Sequence, residues 1–479
     1  MLGLAAFNLF FRLGREGVTE WDESLYAISA WEMLRAQEWI GTRFLGALDY
    51  YNTKPPLNVW LIALTFKAFG VSLWSLRLIS SLSAWCTVAV LQHWTKRCFG
   101  AATGVCAGAV LATAFGFVYV HSGRTADADA LFALLVLLTV VTLWAARSQP
   151  WRAVWLGPLA AAVFLLKGTA VFMPLSIIVA VEGCPEWRRP GRWSALVVAF
   201  LWFVIPVMAW SVARWNLDHF QFFQGLLATD FLGTIFTVLE GHDGSLFYYV
   251  NILQKHHYDW LAAAAAAWFL FPPSRARTRE LLTLSGDRGA LPWLLFAWVA
   301  ATVIIPSLMQ TKLPWYLNEF YPVFAVGIAC SLLHGIRCTE EMSGIVRRVT
   351  FVSIVVLAVG VAEGKLLWYS FHVRGLEASA QGLLMEERAQ LAGHRLFGLQ
   401  WNRAEIFISE AVVRAERQNT ADVRDFLERS NPGDYLLESP GILHDGVIEV
   451  RSDGRHALYR RVAVSPADQD RTITPLPSR

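Results

Sequence analysis

Apolar runs close to the thickness of a lipid bilayer recur along this chain, and they constrain its fold more than any other feature. They lie at 73–92, 101–120, 128–146, 153–181, 194–212, 258–271, 291–309, 317–335 and 349–368. A crossing helix needs roughly 20 mostly apolar residues, because the hydrocarbon core offers the backbone no water to bond. Only 16% of the residues are charged, against about 25% in a soluble domain. The chain therefore reads as an α-helical polytopic membrane protein. Its net charge of +3 gives no reason to expect nucleic acid as a partner. Many of the 22 tryptophans, including Trp74, Trp94, Trp144, Trp193, Trp260, Trp293, Trp315 and Trp368, stand near the ends of these runs, where interfacial belts form. No cleavable signal peptide is evident. The first apolar run, 1–11, is short for a crossing, so the sequence is expected to begin inside its first transmembrane helix.

Lys and Arg bias orients such a chain. Basic clusters occur at Lys96-Arg97, Arg147 with Arg152, Arg188-Arg189 with Arg192, Arg275 to Arg288, and Arg337 to Arg348. Placing all of them in the cytoplasm makes 153–181 a hairpin, broken at Lys167-Gly168 and bent at Pro174. The segment 57–70 then reads as a helix on the membrane surface, and about eleven spans result. The outer face receives loop 12–72, 121–127, the Lys167 turn, 213–257, 310–316 and everything after 369. Cys86, Cys106 and Cys330 fall in spans, and Cys98, Cys184 and Cys338 in cytoplasmic loops, so no disulfide framework or zinc spacing is suggested. The tail has ordinary soluble composition. Thr420 is positioned to cap a helix through Glu428, closed by Asn431-Pro432-Gly433, and "DYLLES", "GVIEV" and "HALYRRV" read as strands. Residues 1–368 are thus expected to form a transmembrane domain, and 369–479 a small soluble α/β domain outside it.

The unusual ionisable residues gather on the outer face, and ionisable groups near hydrocarbon are costly and usually functional. Asp22 and Glu23 begin a helix expected to be amphipathic and at the surface. Thr19 and Asp22 fit a capping pattern there, while a carboxylate spared from capping would be free to act as a base. "YYNTKPPLNVW" holds Lys54 on a corner stiffened by Pro55 and Pro56. A snorkelling lysine needs flexibility, whereas a fixed ammonium suits a phosphate. "HSGRTADADALFALL" brings Arg124, Asp127 and Asp129 just ahead of a span. They suit sugar hydroxyls or an acceptor amine, and Asp129 equally suits a helix N-terminus. Lys167 at its turn and Lys312 in "QTKLPWYLNEFYP" can add charge against a phosphate leaving group, or simply anchor at the interface. "LEGHDGSLFYYVN" carries Glu240 and His242, a weak two-ligand metal signal. Its Tyr248 and Tyr249 suit packing along a lipid tail or sugar.

Taken in order, Asp22-Glu23, "KPPLNVWLIALTFKAFG", "GRTADADAL", "LLKGTAVFMP", "EGHDGSLFYY" and "TKLPWYLNEFYPVFA" resemble one superfamily. It comprises the bacterial aminoarabinose transferases and the protein O-mannosyltransferases, membrane glycosyltransferases of the GT-C fold. The resemblance covers about residues 19 to 335. It implies a sugar carried on a polyprenyl phosphate and used at the outer face of the bacterial cytoplasmic membrane. The acceptor would be an envelope glycolipid such as lipid A, a glycan or a protein. Asp22 would match the outer-loop catalytic aspartate and Glu23 its neighbour. Lys54 would match the phosphate-binding lysine, and Asp129, rather than Asp127, the second loop acid. Lys312 and Tyr316 would fall in the donor-cavity motif. The implied reaction is a single displacement with inversion at the anomeric carbon.

Two departures matter. Thr53 stands where aminoarabinose transferases often carry a glutamate that holds a metal with a histidine, and Asp243 stands where a basic residue is common. Both departures weaken a metal at His242, so a divalent metal is left open rather than assigned, no other cofactor is assigned, and the sugar stays open. A lipid-linked-sugar transporter or a non-catalytic envelope assembly factor is the rival class. Against the transporter, no paired repeat of broken helices is visible and the charges crowd one face.

Overall fold

Helix starts and stops follow the glycine and serine punctuation between the apolar runs. The computed structural model describes residues 1–187, 189–270, 289–337, 344–373, 375–376, 379–442 and 444–463. Helix α1 (Leu2–Phe10) leads through a buried loop to α2 (Asp22–Ala36). A two-stranded ribbon, β1 (Arg43–Phe44) with β2 (Ala47–Leu48), and α3 (Leu57–Phe69) follow. Gly70, at φ 79°, ends α3. Ser72 opens α4 (Leu73–Phe99) with a reciprocal cap, each of Ser72 and Ser75 accepting from the other's backbone N–H. Gly100, at φ 99°, reverses the chain into α5 (Ala101–Ala112). A Cβ at Gly104 would fall 2.6 Å from the Gln92 carbonyl, so these small residues let α5 lie backbone-close to α4.

After α6 (Phe115–Tyr119) and α7 (Asp129–Ala146), the run 150–182 doubles back on itself. Lys167, at the end of α8 (Leu156–Lys167), bonds Asp129 at the start of α7. Trp187, beyond the end of α9 (Phe172–Glu182), packs against Trp144 near the other end of α7, ring centroids 6.1 Å apart. The reversal falls at Gly168, whose φ of 55° other residues rarely adopt. Helix α10 (Arg192–Asp218) returns alongside α8; a Cβ at Gly157 would sit 1.9 Å from the Ala199 carbonyl.

Among the described residues, six helical runs are long and apolar enough to cross a bilayer, where about eleven crossings were expected. The shorter apolar helices are α5, with 12 residues, and Tyr258–Leu270 and Tyr321–Arg337, whose described parts have 13 and 17. The chain remains a multi-pass membrane protein. Arg188, 271–288 and 338–343, which carry much of the expected basic bias as well as Cys338, lie outside the described residues. Among the described residues no disulfide joins Cys86, Cys98, Cys106, Cys184 or Cys330.

The C-terminal part is a small sheet domain with strands β3 (Arg395–Gly398), β4 (Glu416–Asn419), β5 (Tyr435–Glu438), β6 (Val447–Ser452) and β7 (Ala457–Arg461). Their order is β4-β3-β5-β7-β6, parallel across β4-β3-β5 and antiparallel across β5-β7-β6. The tail helix runs Val423–Arg429. Asp422, not Thr420, caps it, and the Thr420 hydroxyl donates instead to Asp425. The sheet domain shares an apolar cluster with α2 and α3: Leu396, Phe407 and Tyr435 pack with Tyr26, Ile28, Val59 and Phe66. For this reason α2 is not the exposed amphipathic helix expected; Glu23 through Ala30 are all buried.

Candidate active site

Two buried arginines organise the end of the bundle where these loops meet. Arg77 of α4 directs Nη1 to the carbonyls of Leu13 and Glu16, Nη2 to that of Gly17, and Nε to Glu23 Oε1 at 2.6 Å. Arg124 donates to the carbonyls of Asn8 and Phe11, left open at the end of α1, and pairs with Glu16 at 2.6 Å. Ser370 adds a third donor to Glu16. Charges withdrawn from water persist only when paired and fully bonded, and these pairs pin residues 13–23 onto α4 and the 121–128 loop. Glu23, expected in catalysis, and Arg124, expected in substrate binding, are both committed to buried ion pairs.

Glu23 also resolves the capping question. Its Oε2 accepts from Thr19 N and Thr19 Oγ1, and its Oε1 accepts from Ala126 N. The expected Thr19–Asp22 cap does not form. Asp22 is left with no hydrogen bond among the described residues and with its side chain 32% exposed. The backbone just before it is turned sharply, with Trp21 at φ 74°.

Facing Asp22 is a residue the sequence reading passed over. His121, at φ 48°, stacks on Trp315 with ring centroids 3.8 Å apart. Its Nδ1 lies 3.9 Å from Asp22 and 3.5 Å from Asp127. Asp127 is 1% exposed, and neither carboxylate oxygen has a hydrogen-bond partner. Burial lifts its carboxyl to about 7, with Asp22 and Glu23 adding to the rise and His121 opposing it. The loop is held from several sides. Asn58 donates to the Ala126 carbonyl, Ser80 to that of Asp127, Ser81 to that of Gly123, and Asn318 to that of Val120. Asp127 thus lies with Asp22 around His121. Asp129 instead opens α7 and binds Lys167 at 2.8 Å.

Lys54 is half-buried, and its ammonium has no partner among the described residues; only its backbone N–H is engaged, by Asn52. It sits between Tyr51, which shares Arg403 with Trp21, and Pro55, which a Cβ at Gly168 would meet at 3.4 Å. Lys312 is 6% exposed; its Nζ donates to the Met309 carbonyl and its backbone N–H to that of His242. The Tyr316 hydroxyl is pushed upward by burial and by Asp230, Asp129, Asp22 and Glu319 around it. Glu319 is buried as well, at 1% exposure. Asp230, Glu319, Tyr26 and Arg77 were missed along with His121. Asp230 and Glu319 each carried a legible signal, a lone acid within an apolar stretch.

The loop around His242 meets this group at Lys312 and Tyr51. Glu240 and His242 are exposed, and Glu240 accepts from the Tyr51 hydroxyl at 2.9 Å. Tyr248 is half-buried, whereas Tyr249 is 1% exposed within the main apolar cluster. Among the described residues, the group with the spacing of a metal shell is Asp22, His121 and Asp127, whose ligand atoms lie within 4.8 Å of one another.

Residues 53–210 match the family described as dolichyl-phosphate-mannose-protein mannosyltransferase. Over 377 residues the chain is 26% identical to "Undecaprenyl phosphate-alpha-4-amino-4-deoxy-L-arabinose arabinosyl transferase 2" of Pseudomonas fluorescens, covering 76% of this chain and 60% of that one. A Pseudomonas aeruginosa protein of the same description, without the final numeral, is 31% identical over 358 residues, 71% of this chain and 60% of its own. The chain thus spans about 60% of the length of these curated relatives. In fold it matches ArnT from Cupriavidus metallidurans bound to undecaprenyl phosphate. The TM-score is 0.67 at 16% identity, over 96% of this chain and 97% of that one.

Proposed function

This chain belongs to the GT-C glycosyltransferase superfamily, and from that premise we propose that it moves a sugar from a polyprenyl-phosphate carrier to an acceptor of the cell envelope. The observation that carries the reading is a pair of free charges at one end of the bundle. Asp22 is an unbonded, part-exposed carboxylate and Lys54 an unpartnered ammonium, while Lys167, Arg77 and Arg124 nearby are all committed to carboxylates. Undecaprenyl phosphate in the names of the relatives and in the solved neighbour supports that carrier.

In this reading Asp22 takes the proton of the acceptor hydroxyl or amine as that atom bonds to the anomeric carbon. The bond from that carbon to the phosphate oxygen breaks, and the polyprenyl phosphate leaves with the electron pair. Lys54 meets the charge that develops there, with Lys312 and Tyr316 lining the donor cavity. One displacement inverts the anomeric centre. Lys167 serves by fixing Asp129. The site faces the extracytoplasmic side of the bacterial cytoplasmic membrane, with residues 1–368 as the catalytic domain and the sheet domain of 369–479 on the same side. Thr53 in front of the KPP lysine leaves the identity of the sugar to the donor assay.

The test is transfer by detergent-purified protein from polyprenyl-phosphate-linked sugars to an envelope lipid extract. Loss of a positioned base typically costs about 10²–10⁴-fold in rate. Asp22→Asn is expected to lose transfer on that scale with its melting midpoint unchanged. Wild-type transfer by the folded variant would overturn the role of Asp22, and no transfer from any such donor would overturn the reading itself.

A further inference from the structure

Aromatic rings of the outer loop converge on one cation of the sheet domain. The Arg403 guanidinium lies 5.0 Å from the ring centroid of Tyr51, 5.7 Å from that of Trp21 and 5.8 Å from that of Phe44. Among the described residues it has no hydrogen bond or ion pair; only the Arg403 backbone N–H is engaged, by Glu20. Its place is nonetheless fixed. Asn402, just before it, forms a reciprocal cap with Glu405, and the Trp401 indole N–H donates to the Gln418 carbonyl. On the facing side the Tyr51 hydroxyl donates to Glu240, and Phe44 sits in the β1–β2 ribbon. Trp21 and Tyr51 are 56% and 53% exposed. Trp21 is also held at φ 74° and ψ −119°, a backbone that residues other than glycine rarely adopt and that costs stability. Packing gains little from a strained tryptophan turned outward, and such strain gathers at ligand-holding sites.

From this geometry we infer that Arg403, Trp21 and Tyr51 form a platform that receives the acceptor, and that the group it selects is the phosphorylated saccharide head of an envelope glycolipid. A guanidinium lying over aromatic faces keeps its N–H edges free, and those edges match a phosphate two bonds at a time. The exposed ring faces offer apolar area with little rotamer freedom to lose, which suits the face of a sugar ring. The platform adjoins both free charges of the site. Trp21 immediately precedes Asp22, and Tyr51 precedes Lys54 by three residues. A head group held here therefore lies beside the base and beside the phosphate of the carrier. A glycolipid keeps its head at the membrane surface, as the carrier does, which favours it over a protein acceptor. The sheet domain thus supplies a side chain that determines specificity, without touching the reacting atoms. The inference deepens the proposed transferase reading and rests on it for its meaning.

The experiment titrates detergent-purified full-length protein, with no donor present, against a phosphorylated acylated glucosamine disaccharide and against the same glycolipid stripped of phosphate. Wild type is expected to bind the phosphorylated lipid at least about tenfold more tightly, the scale of one hydrogen bond to a charged group. Arg403→Gln should bind both lipids alike, and Trp21→Ala should weaken both. Neither substitution should change retention of polyprenyl phosphate in native mass spectrometry, which separates this platform from Lys54. Arg403→Gln removes no side-chain bond to a described residue and is expected to keep the wild-type melting midpoint. If Trp21→Ala does not fold, Arg403→Gln decides. Equal binding of the two lipids by wild type overturns the inference, as does a phosphate preference that survives Arg403→Gln. Because no donor is present, failure here leaves the carrier-lipid reading standing, and absence of a carrier lipid from wild type leaves this binding result standing.

Discussion

Lys167 Nζ donates to Asp129 Oδ1 across 2.8 Å, tying the turn of the re-entrant run to the first residue of α7. Both side chains are nearly closed to solvent, at 10% and 6% exposure. Removing one member of such a pair strands the other and typically costs about 3–5 kcal/mol. Lys167→Met is therefore expected to melt well below wild type in detergent, and Asp129→Asn combined with Lys167→Met should recover most of the loss. A single variant that melts like wild type would contradict the structural role of the pair.

Asp22 and Glu23 are neighbours with opposite fates. Glu23→Gln leaves Arg77 buried without its counter-charge and should cost stability on the same scale, about 3–5 kcal/mol. Asp22→Asn removes no bond and should leave the melting midpoint in place while transfer falls. Thermal melts of the two purified variants side by side check this. Early melting of Asp22→Asn, or a Glu23→Gln variant that is stable and inactive, would reverse the assignment.

Gly168 is required twice over. Its φ of 55° belongs to glycine, and an added Cβ would stand 2.7 Å from Leu226 Cδ1. Gly168→Ala is expected to cost more than about 1 kcal/mol, measured by thermal melting. Leu226→Ala in the same background should return the steric part only. A neutral Gly168→Ala would mean the turn relaxes freely.

The sheet domain grips the segment that leads into Asp22. Gln381 exchanges hydrogen bonds with both backbone groups of Val18, and Glu20 accepts from Arg403 N at 3.0 Å. Arg403 also lies over the Trp21 and Tyr51 rings. Glu20→Ala should lose about 1 kcal/mol of local protection, so the Arg403 amide is expected to exchange roughly fivefold faster in hydrogen-exchange mass spectrometry. Unchanged exchange would show that the domain holds this segment by apolar packing alone.

Most of the fold was legible where a signal was local and periodic. The apolar runs, the break at Lys167-Gly168 and the strands β5, β6 and β7 could be read from the chain, as could a polar cluster at one end. What failed depended on distant partners. Glu23 and Arg124 looked free because Arg77 and Glu16 lie 54 and 108 residues away from them. The helix α2 looked exposed because its cover, including Phe407 and Tyr435, comes from the tail. The motif ranked Asp129 above Asp127, but only the start of α7 decides which of them turns toward Lys167. His121 carried no local signal; its position depends on Trp315 and on a left-handed backbone that sequence does not announce. Strands β3 and β4 were not read; β4 is Glu-Arg-Gln-Asn, with no apolar residue to mark it.

The central claim is that Lys54 holds the phosphate of a polyprenyl carrier, and native mass spectrometry of the detergent-purified protein tests it most directly. Wild type is expected to retain a polyprenyl phosphate, bare or bearing a sugar whose added mass identifies its class, and Lys54→Ala is expected to lose it. Absence of such a lipid from wild type, or equal retention by Lys54→Ala, would contradict the account.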